Sequence, residues 1–264
     1  MFENKLREET KIKLERLRAD LSGFESLLVC YSGGTDSALL AAVAKEQLGM
    51  KAEAVLFQSV LIPQKMLAEA RQQAVHIGIN LHLIEVDVLG NPALVNNPEN
   101  RCYICKQHLL SLASALADER GIKAVAEGSQ ADDLRKHRPG RAAVRKAGAY
   151  SPLEKAELGK QEIREISRVM GLPCWAQPSY SCLMTRFPYD EHITAEKLKG
   201  IEEAEEFLKQ LGFKYCKARH HGELVRLGLG VNESVAALGQ YKEKIFEYFK
   251  KLNYKDVVVD IEET

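Results

Sequence analysis

The chain has 264 residues, enough for one large domain or for a medium domain with a small one. Lysine plus arginine and aspartate plus glutamate number 37 each, so the net charge of zero gives no overall support to a nucleic-acid partner. The chain lacks any run of 18 apolar residues, which argues against a membrane-spanning helix. Its charged first twenty residues do not have the apolar core of a signal peptide, so we expect a cytoplasmic protein.

Strands and helices are predicted to alternate through the first half of the chain. Apolar runs predict strands at 26–31, 52–57, 81–86 and 123–127. Helical periodicity predicts helices over 3–21, to Leu48, 63–77, 102–119 and 154–170. This alternation is typical of an α/β fold with a doubly wound parallel sheet, whose ligands bind beyond the carboxyl ends of the strands. The loops after strands one and four and the stretch around Ser59 are therefore expected to converge.

The first strand leads directly into the sequence Ser-Gly-Gly-Thr-Asp-Ser at 32–37, which we call the Ser-Gly-Gly loop. Its glycines let the backbone approach a ligand closely, and the helix predicted to follow adds partial positive charge. Strand, glycine turn and helix start together favour phosphate binding. The alternative is an ordinary turn with a helix cap at Thr35 or Asp36. The absence of a Walker A pattern disfavours a P-loop kinase or GTPase.

The stretch at 128–141, after the fourth predicted strand, is long and rich in charge. Its acids suit Mg²⁺ and its bases suit phosphate, whereas the alternative interpretation is a solvated surface loop. Its predicted place at the ligand-binding edge of the sheet favours a function.

Three prolines and two cysteines make 172–189 an irregular linker, so we predict one domain over 1–175 and a smaller one over 176–264. The smaller domain is predicted to be α+β. Its predicted elements are helices at 194–211 and 232–251 and strands at 213–219, 223–228 and 257–259. His220 and His221 are adjacent and would point to opposite faces of a strand, so a polar turn is as good an interpretation as a functional site.

Six cysteines in a chain of this kind point to thiol chemistry or metal binding rather than to a disulfide framework. Cys102 and Cys105 form a C-x-x-C pair at a helix start beside cations, where thiol pKa values fall. The pair is compatible with redox activity or with two ligands of a metal or iron–sulfur cluster. Cys182 lies in the linker. The remaining three are interpreted as structural, with Cys174 the ambiguous one among Cys30, Cys174 and Cys216.

Several stretches, in this order, resemble the LarE family of ATP-dependent sulfur transferases, which make the nickel-pincer cofactor and belong to the PP-loop ATP pyrophosphatases. The resemblance spans about residues 20–230. The matching stretches are Ser32–Ser37, Asn100–Lys106, Glu127–Asp133 with Arg138–Gly140, Ser151–Leu153 and Pro178–Tyr189.

The resemblance implies that ATP adenylates a carboxylate of pyridinium-3,5-biscarboxylic acid mononucleotide and releases pyrophosphate. A cysteine then forms a thioester, and its sulfur is left on the substrate as a thiocarboxylate. Cys182 aligns with the sulfur-donating cysteine, which some members lose to dehydroalanine. Other members hold a [4Fe-4S] cluster with three cysteines, for which Cys102, Cys105 and Cys182 are the candidates. The family also implies a homohexamer.

The resemblance and the strand-end positions together give a candidate site. Asp36 is expected to help hold Mg²⁺. Arg219 resembles a phosphate-binding arginine, and Lys217 stands in place of a second one. Gly228 replaces an acid linked to metal, which puts a metal site there in doubt. The candidate ATP-binding residues are Ser32, Gly33, Gly34, Asp36, Ser37, Ser59, Gly128, Asp132 and Arg138.

Three other functions remain open. A tRNA-thiolating PP-loop enzyme would share the ATP site and the cysteines but would carry a basic surface for RNA. A ligase of the NAD synthetase type needs neither the C-x-x-C pair nor a linker cysteine. A non-catalytic ATP-binding regulator needs neither Asp36 nor Cys182.

Overall fold

The computed structural model describes residues 5–135, 140–178 and 180–260, without the side chain of Arg135. The chain divides into two compact units. The first comprises Met1–Ser59, Gln64–Val86 and Asn100–Tyr180, and the second comprises Val60–Pro63, Asp87–Glu99 and Ser181–Thr264. Within the described ranges, every helix is too short or too polar to cross a membrane.

The first unit is built on a parallel four-stranded sheet, as the alternating sequence pattern predicts. Its strands are β1 (Leu27–Tyr31), β2 (Ala52–Gln58), β3 (Asn80–Glu85) and β4 (Ala124–Ala126), in the order β3-β2-β1-β4. The central strand β1 is apolar because both of its faces are covered. The direction of strand order reverses between β1 and β4, so the loops after these two strands flank the point where such sheets bind ligands.

The helices α2 (Thr35–Leu48), α3 (Gln64–Ile77) and α4 (Arg101–Arg120) pack on this sheet, and α1 (Glu8–Ser22) packs on α2. The helix α2 packs on β1 and β2, whereas α4 packs on β1 and β4. The crossovers through α2 and α4 run in opposite directions along the sheet, and right-handed crossovers therefore put the two helices on opposite faces.

The rest of the first unit contains α5 (Gly140–Ala147), α6 (Pro152–Lys155) and α7 (Lys160–Val169). The single helix predicted over 154–170 is wrong, because the chain breaks at Glu157, whose φ is +57°. The helix restarts after Gly159, whose N–H donates to the Glu162 carboxylate at 3.1 Å. The predicted loop at 128–141 also holds a 3₁₀ turn at Ala131–Arg135 and the beginning of α5.

The second unit contains a 3₁₀ turn at Leu183–Arg186, followed by a mixed sheet with helices. Its strands are β5 (Cys216–His221), β6 (Leu224–Leu229) and β7 (Asp256–Asp260), in the order β5-β6-β7, with β5 and β6 antiparallel and β6 and β7 parallel. The helix predicted over 232–251 is two helices, separated at residues 239–241. The helices of this unit are α8 (Ala195–Gln210), α9 (Val231–Leu238) and α10 (Lys242–Lys251).

Candidate functional site

The Ser-Gly-Gly loop is held in a compact shape by its own hydroxyl groups. The Ser37 hydroxyl accepts a hydrogen bond from the Ser32 N–H at 3.1 Å and lies 3.0 Å from the Ser32 hydroxyl. It also donates to the Gly34 carbonyl at 3.1 Å. The Thr35 hydroxyl donates to the Cys174 carbonyl at 2.9 Å and so anchors the beginning of α2. The loop thus joins β1 to α2 in the strand-turn-helix arrangement that places a ligand phosphate at a helix N-terminus.

Gly33 is the position in this loop where a side chain is excluded. Its φ is +77°, in the left-handed region. A Cβ atom at Gly33 would lie 2.4 Å from the Ala70 Cβ and 2.9 Å from the Ala70 Cα. The loop therefore packs directly against α3.

A lysine that the sequence analysis did not single out reaches the loop. The Lys160 ammonium lies 2.7 Å from the Asp36 carboxylate. The Lys160 backbone N–H donates to the Asp132 carboxylate at 2.8 Å. Asp132, predicted to bind the cofactor, therefore fixes the start of α7, and α7 places a cation beside the predicted Mg²⁺ ligand. The sequence offers no local pattern for this contact, because Lys160 and Asp36 are 124 residues apart.

The loop after β4 meets the Ser-Gly-Gly loop at Gly128. A Cβ at Gly128 would lie 3.3 Å from the Ser37 nitrogen, so this glycine allows close approach to the start of α2. Five of the predicted residues therefore lie in one place with Gly128, namely Ser32, Gly33, Gly34, Asp36 and Ser37. Ser59 directly follows β2, and Arg138 lies outside the described residues.

Glu127, at the end of β4, is a buried carboxylate inside a complete hydrogen-bond network. It accepts from the Lys106 ammonium at 2.8 Å, the Ser129 hydroxyl at 2.9 Å and the Ser151 hydroxyl at 2.6 Å. Burial by itself raises the pKa of Glu127, but the charge of Lys106 and these hydrogen bonds outweigh it and hold the pKa below its ordinary value. The network ties α4 to the strand end beside the Ser-Gly-Gly loop.

The C-x-x-C pair lies in the first two turns of α4, with Cys102 exposed and Cys105 half-buried. Over residues 5–135, 140–178 and 180–260, no three Cys, His, Asp or Glu side chains are grouped to hold a metal ion. Of the three cysteines predicted to hold a [4Fe-4S] cluster, Cys102 and Cys105 belong to the first unit and Cys182 to the second.

Three cysteines have thiols that burial keeps protonated. Burial raises the pKa of Cys30 and of Cys216 to about 12 each, and that of Cys174 to about 11. A thiol with such a pKa is a poor nucleophile at neutral pH.

Cys182 lies in a segment of the second unit, Ser181–Arg186, which we call the thiol segment. Cys182 is half-buried, and its backbone carbonyl accepts two hydrogen bonds from Thr185. It accepts the Thr185 N–H at 3.0 Å and the Thr185 hydroxyl at 2.8 Å. The backbone of the segment is therefore fixed while its cysteine retains access to solvent.

The strand β5, which we call the basic strand, carries Lys217 and Arg219 at alternate positions and thus on one face. Two residues that the sequence analysis missed belong to this face. Arg226 lies opposite Arg219 in the β5–β6 register. The Asp260 carboxylate is 3.7 Å from Arg219 and 3.3 Å from Arg226. Asp260 is also the register partner of Gly228, so a carboxylate from β7 lies beside the position that lacks one on β6.

Comparison with known proteins gives three relatives. An uncharacterized protein of Synechocystis is 41% identical over 217 residues, which cover 82% of this chain and 81% of the relative. The pyridinium-3,5-bisthiocarboxylic acid mononucleotide synthase of Lactiplantibacillus plantarum is 28% identical over 94% of this chain and 90% of its own. An uncharacterized protein of Methanocaldococcus jannaschii is 28% identical over 95% of both chains. No family model matches the sequence. The synthase carries the name of the LarE enzymes, and its match spans the whole arrangement of loop, C-x-x-C pair and thiol segment, so the chain belongs to the LarE family.

Proposed function

We propose that this protein is an ATP-dependent sulfur transferase that converts a carboxylate of pyridinium-3,5-biscarboxylic acid mononucleotide into a thiocarboxylate. The observation that carries the proposal is a pre-shaped Ser-Gly-Gly loop in the same chain as an accessible cysteine, Cys182, on a fixed segment. The name of the Lactiplantibacillus relative supplies the product, pyridinium-3,5-bisthiocarboxylic acid mononucleotide, and the corresponding biscarboxylic acid is the substrate proposed from it.

The residues around the Ser-Gly-Gly loop suit ATP with Mg²⁺. The Asp36 carboxylate is an oxygen ligand of the kind that Mg²⁺ prefers, and the α2 N-terminus favours the phosphates. Bound Mg²⁺ would neutralise negative charge on the nucleotide. Lys160, 2.7 Å from Asp36, adds a second cation for the pyrophosphate leaving group.

The first step activates a poor electrophile. A substrate carboxylate oxygen attacks the α-phosphorus of ATP, the bond to the β-phosphate oxygen breaks, and pyrophosphate leaves. The product is an acyl-adenylate, whose AMP is a good leaving group. The Cys182 thiolate then attacks the acyl carbon, a C–S bond forms and AMP departs.

The sulfur is transferred when the Cys182 side chain breaks at its own Cβ–S bond. A base removes the α-proton, its electron pair becomes the Cα–Cβ double bond, and the thiocarboxylate leaves with the sulfur. Dehydroalanine remains at position 182. The proposal takes the sulfur from Cys182 because this cysteine is half-buried and its backbone is fixed by Thr185; a [4Fe-4S] cluster on Cys102, Cys105 and Cys182 is the alternative sulfur source.

The basic strand suits the phosphate of the mononucleotide. Arg219 offers a planar guanidinium for a charge-assisted contact, and Lys217, on the same face, adds a second cation without the bidentate geometry of arginine.

The test uses anaerobically purified protein with ATP and Mg²⁺, plus either the pyridinium mononucleotide or bulk tRNA. We expect AMP and pyrophosphate with the mononucleotide only, and an intact-mass loss of one H₂S that maps to position 182. Cys182→Ser should adenylate but not transfer sulfur. Cys102→Ser, at an exposed cysteine, is the matched control and should remain active.

Three outcomes would contradict the proposal. ADP as the main product would show a different ATP chemistry. Thiolation of tRNA would favour the RNA-modifying alternative. Bound iron and sulfide with multiple turnovers that vanish in Cys102→Ser would show a cluster enzyme instead.

A further inference from the structure

Arg186, at the end of the thiol segment, is a charged residue in an apolar interior. Its side chain is 1% exposed, and that of its partner Glu205 on α8 is 3% exposed. The guanidinium Nε and Nη2 donate to the two Glu205 carboxylate oxygens at 2.7 and 3.2 Å, which is a bidentate pair.

The third nitrogen of this guanidinium points the other way, to the residues that flank Cys182. Arg186 Nη1 donates at 2.8 Å to the Ser181 carbonyl, to the Ser181 hydroxyl and to the Thr185 hydroxyl. The Thr185 hydroxyl in turn donates to the Cys182 carbonyl. One side chain therefore closes the turn around the cysteine from both sides.

The other partner of Glu205 is the basic strand. Its carboxylate accepts the Ala218 N–H at 3.2 Å, and Ala218 stands between Lys217 and Arg219. The pair of Arg186 and Glu205 thus connects the segment that carries the thiol to the strand that carries the phosphate-binding cations. All of these contacts lie within the second unit.

We propose that Arg186 is a positioning residue for sulfur transfer, and that its pair with Glu205 fixes the Cys182 turn relative to the basic strand. This inference rests on the proposed function. A role in stability alone explains less, because a buried ion pair is often no more stabilising than apolar residues of the same volume. Two apolar residues in place of Arg186 and Glu205 would lose the hydrogen bonds that connect the Cys182 turn, α8 and the basic strand. Small displacements of a reacting group are costly, since a shift of about 1 Å can slow a reaction about a hundredfold.

The test separates positioning from stability with two variants and a control. Arg186→Lys keeps one charge but cannot reach Glu205 and the Cys182 turn together. Thr185→Val keeps the buried ion pair and removes only the hydroxyl that links it to the Cys182 carbonyl. The control is Thr194→Val, which removes a hydroxyl that caps α8 in the same unit.

We expect Thr185→Val and Arg186→Lys to lower single-turnover sulfur transfer about tenfold or more, with ATP–pyrophosphate exchange and the KM for the mononucleotide within about twofold of wild type. Thr194→Val should leave the ratio of the two rates unchanged. Equal loss of exchange and transfer, or a Thr185→Val variant that behaves like Thr194→Val, would overturn the proposal. If Arg186→Lys does not fold, Thr185→Val decides.

A second readout does not depend on the proposed reaction. The rate of Cys182 alkylation by iodoacetamide, followed by peptide mass, should change at least about threefold in Thr185→Val and not in Thr194→Val. Unchanged alkylation would overturn the positioning role even in a protein that makes no thiocarboxylate. Absence of thiocarboxylate from the wild-type protein would instead overturn the proposed function.

Discussion

Asp36 is the acidic residue of the Ser-Gly-Gly loop, and its substitution tests whether its carboxylate holds Mg²⁺ for ATP cleavage. We expect Asp36→Asn to lower pyrophosphate release by about a hundredfold or more, because the amide removes the charge proposed to hold Mg²⁺. The change keeps the side-chain volume, so the midpoint of thermal unfolding serves as the control for folding. Activity within about twofold of wild type would show that Asp36 only starts the helix.

Arg219 is expected to act on the other substrate. Arg219→Ala should weaken mononucleotide binding by about 1.5–3 kcal/mol, the range of a lost charge-assisted contact, and should leave ATP binding unchanged. Titration calorimetry with each ligand measures both. The control is Lys255→Met, at a cation in the same unit that pairs with an exposed glutamate. Equal loss of both ligands would show that Arg219 is structural.

At the scale of residues, the sequence marks groups that are close along the chain and leaves unmarked the contacts that the fold assembles from distant segments. The Ser-Gly-Gly loop is six consecutive residues, and the hydrogen bonds that shape it lie within that span. Lys160 reaches Asp36 through the packing of α7, and Asp260 reaches Arg219 across the second sheet. Neither pair leaves a pattern in the sequence, because both depend on distant elements coming together.

At the scale of elements, the turn between β1 and α2 depends on one glycine. Gly33→Ala combines a left-handed backbone with an overlap on α3, whereas Gly121→Ala, at the end of α4, meets open space at a φ of +68°. We expect Gly121→Ala to lower the free energy of unfolding by about 1–2 kcal/mol, the cost of the left-handed conformation. Gly33→Ala should lower it further and abolish pyrophosphate release.

Denaturant unfolding and pyrophosphate release together check this comparison. If the two variants lose similar stability and Gly33→Ala stays active, the Ser-Gly-Gly loop can move away from Ala70 without a loss of stability or activity.

The central strands β1 and β2 were predictable because a parallel sheet buries both of their faces and leaves apolar runs. Two helix breaks were not predicted. Glu157 is a good helix former, yet it takes a left-handed conformation between α6 and α7, and tertiary packing overrides its propensity there. Glycines at 159 and 239 are the signals that would have marked both breaks.

At the scale of the whole molecule, the free energy of unfolding should fall as the pH becomes acidic. Among the residues that the structure describes, four carboxylates have lowered pKa values, because ion pairs and hydrogen bonds outweigh the opposing effect of burial; they are Glu53, Glu127, Glu162 and Glu165. In each case the unfolded chain binds protons more readily than the folded one. Their contribution is therefore complete above the ordinary glutamate pKa of 4.5 and is lost as the pH falls through the folded values.

The most buried of the four gives the sharpest check. Glu127→Gln should lower the free energy of unfolding near pH 7, because Lys106 loses its buried counter-charge. The gap between variant and wild type should close as the pH falls below about 4.5, where the wild-type carboxyl also becomes neutral. Urea unfolding over a series of pH values measures both curves, and a gap that stays constant would contradict the assignment.

The contact of Lys160 with Asp36 has a consequence for the order in which ligands arrive. Before nucleotide binds, the carboxylate proposed for Mg²⁺ is already neutralised by an internal cation. A free metal ion must displace the Lys160 ammonium from Asp36 and leave it without a counter-charge, so the net free energy of binding the free ion is small. MgATP supplies the metal for Asp36 and, in the same event, phosphates for the displaced lysine. Metal and nucleotide are then thermodynamically linked, each raising the affinity for the other by the same factor. In this mechanism the loop discriminates against divalent cations until ATP is present.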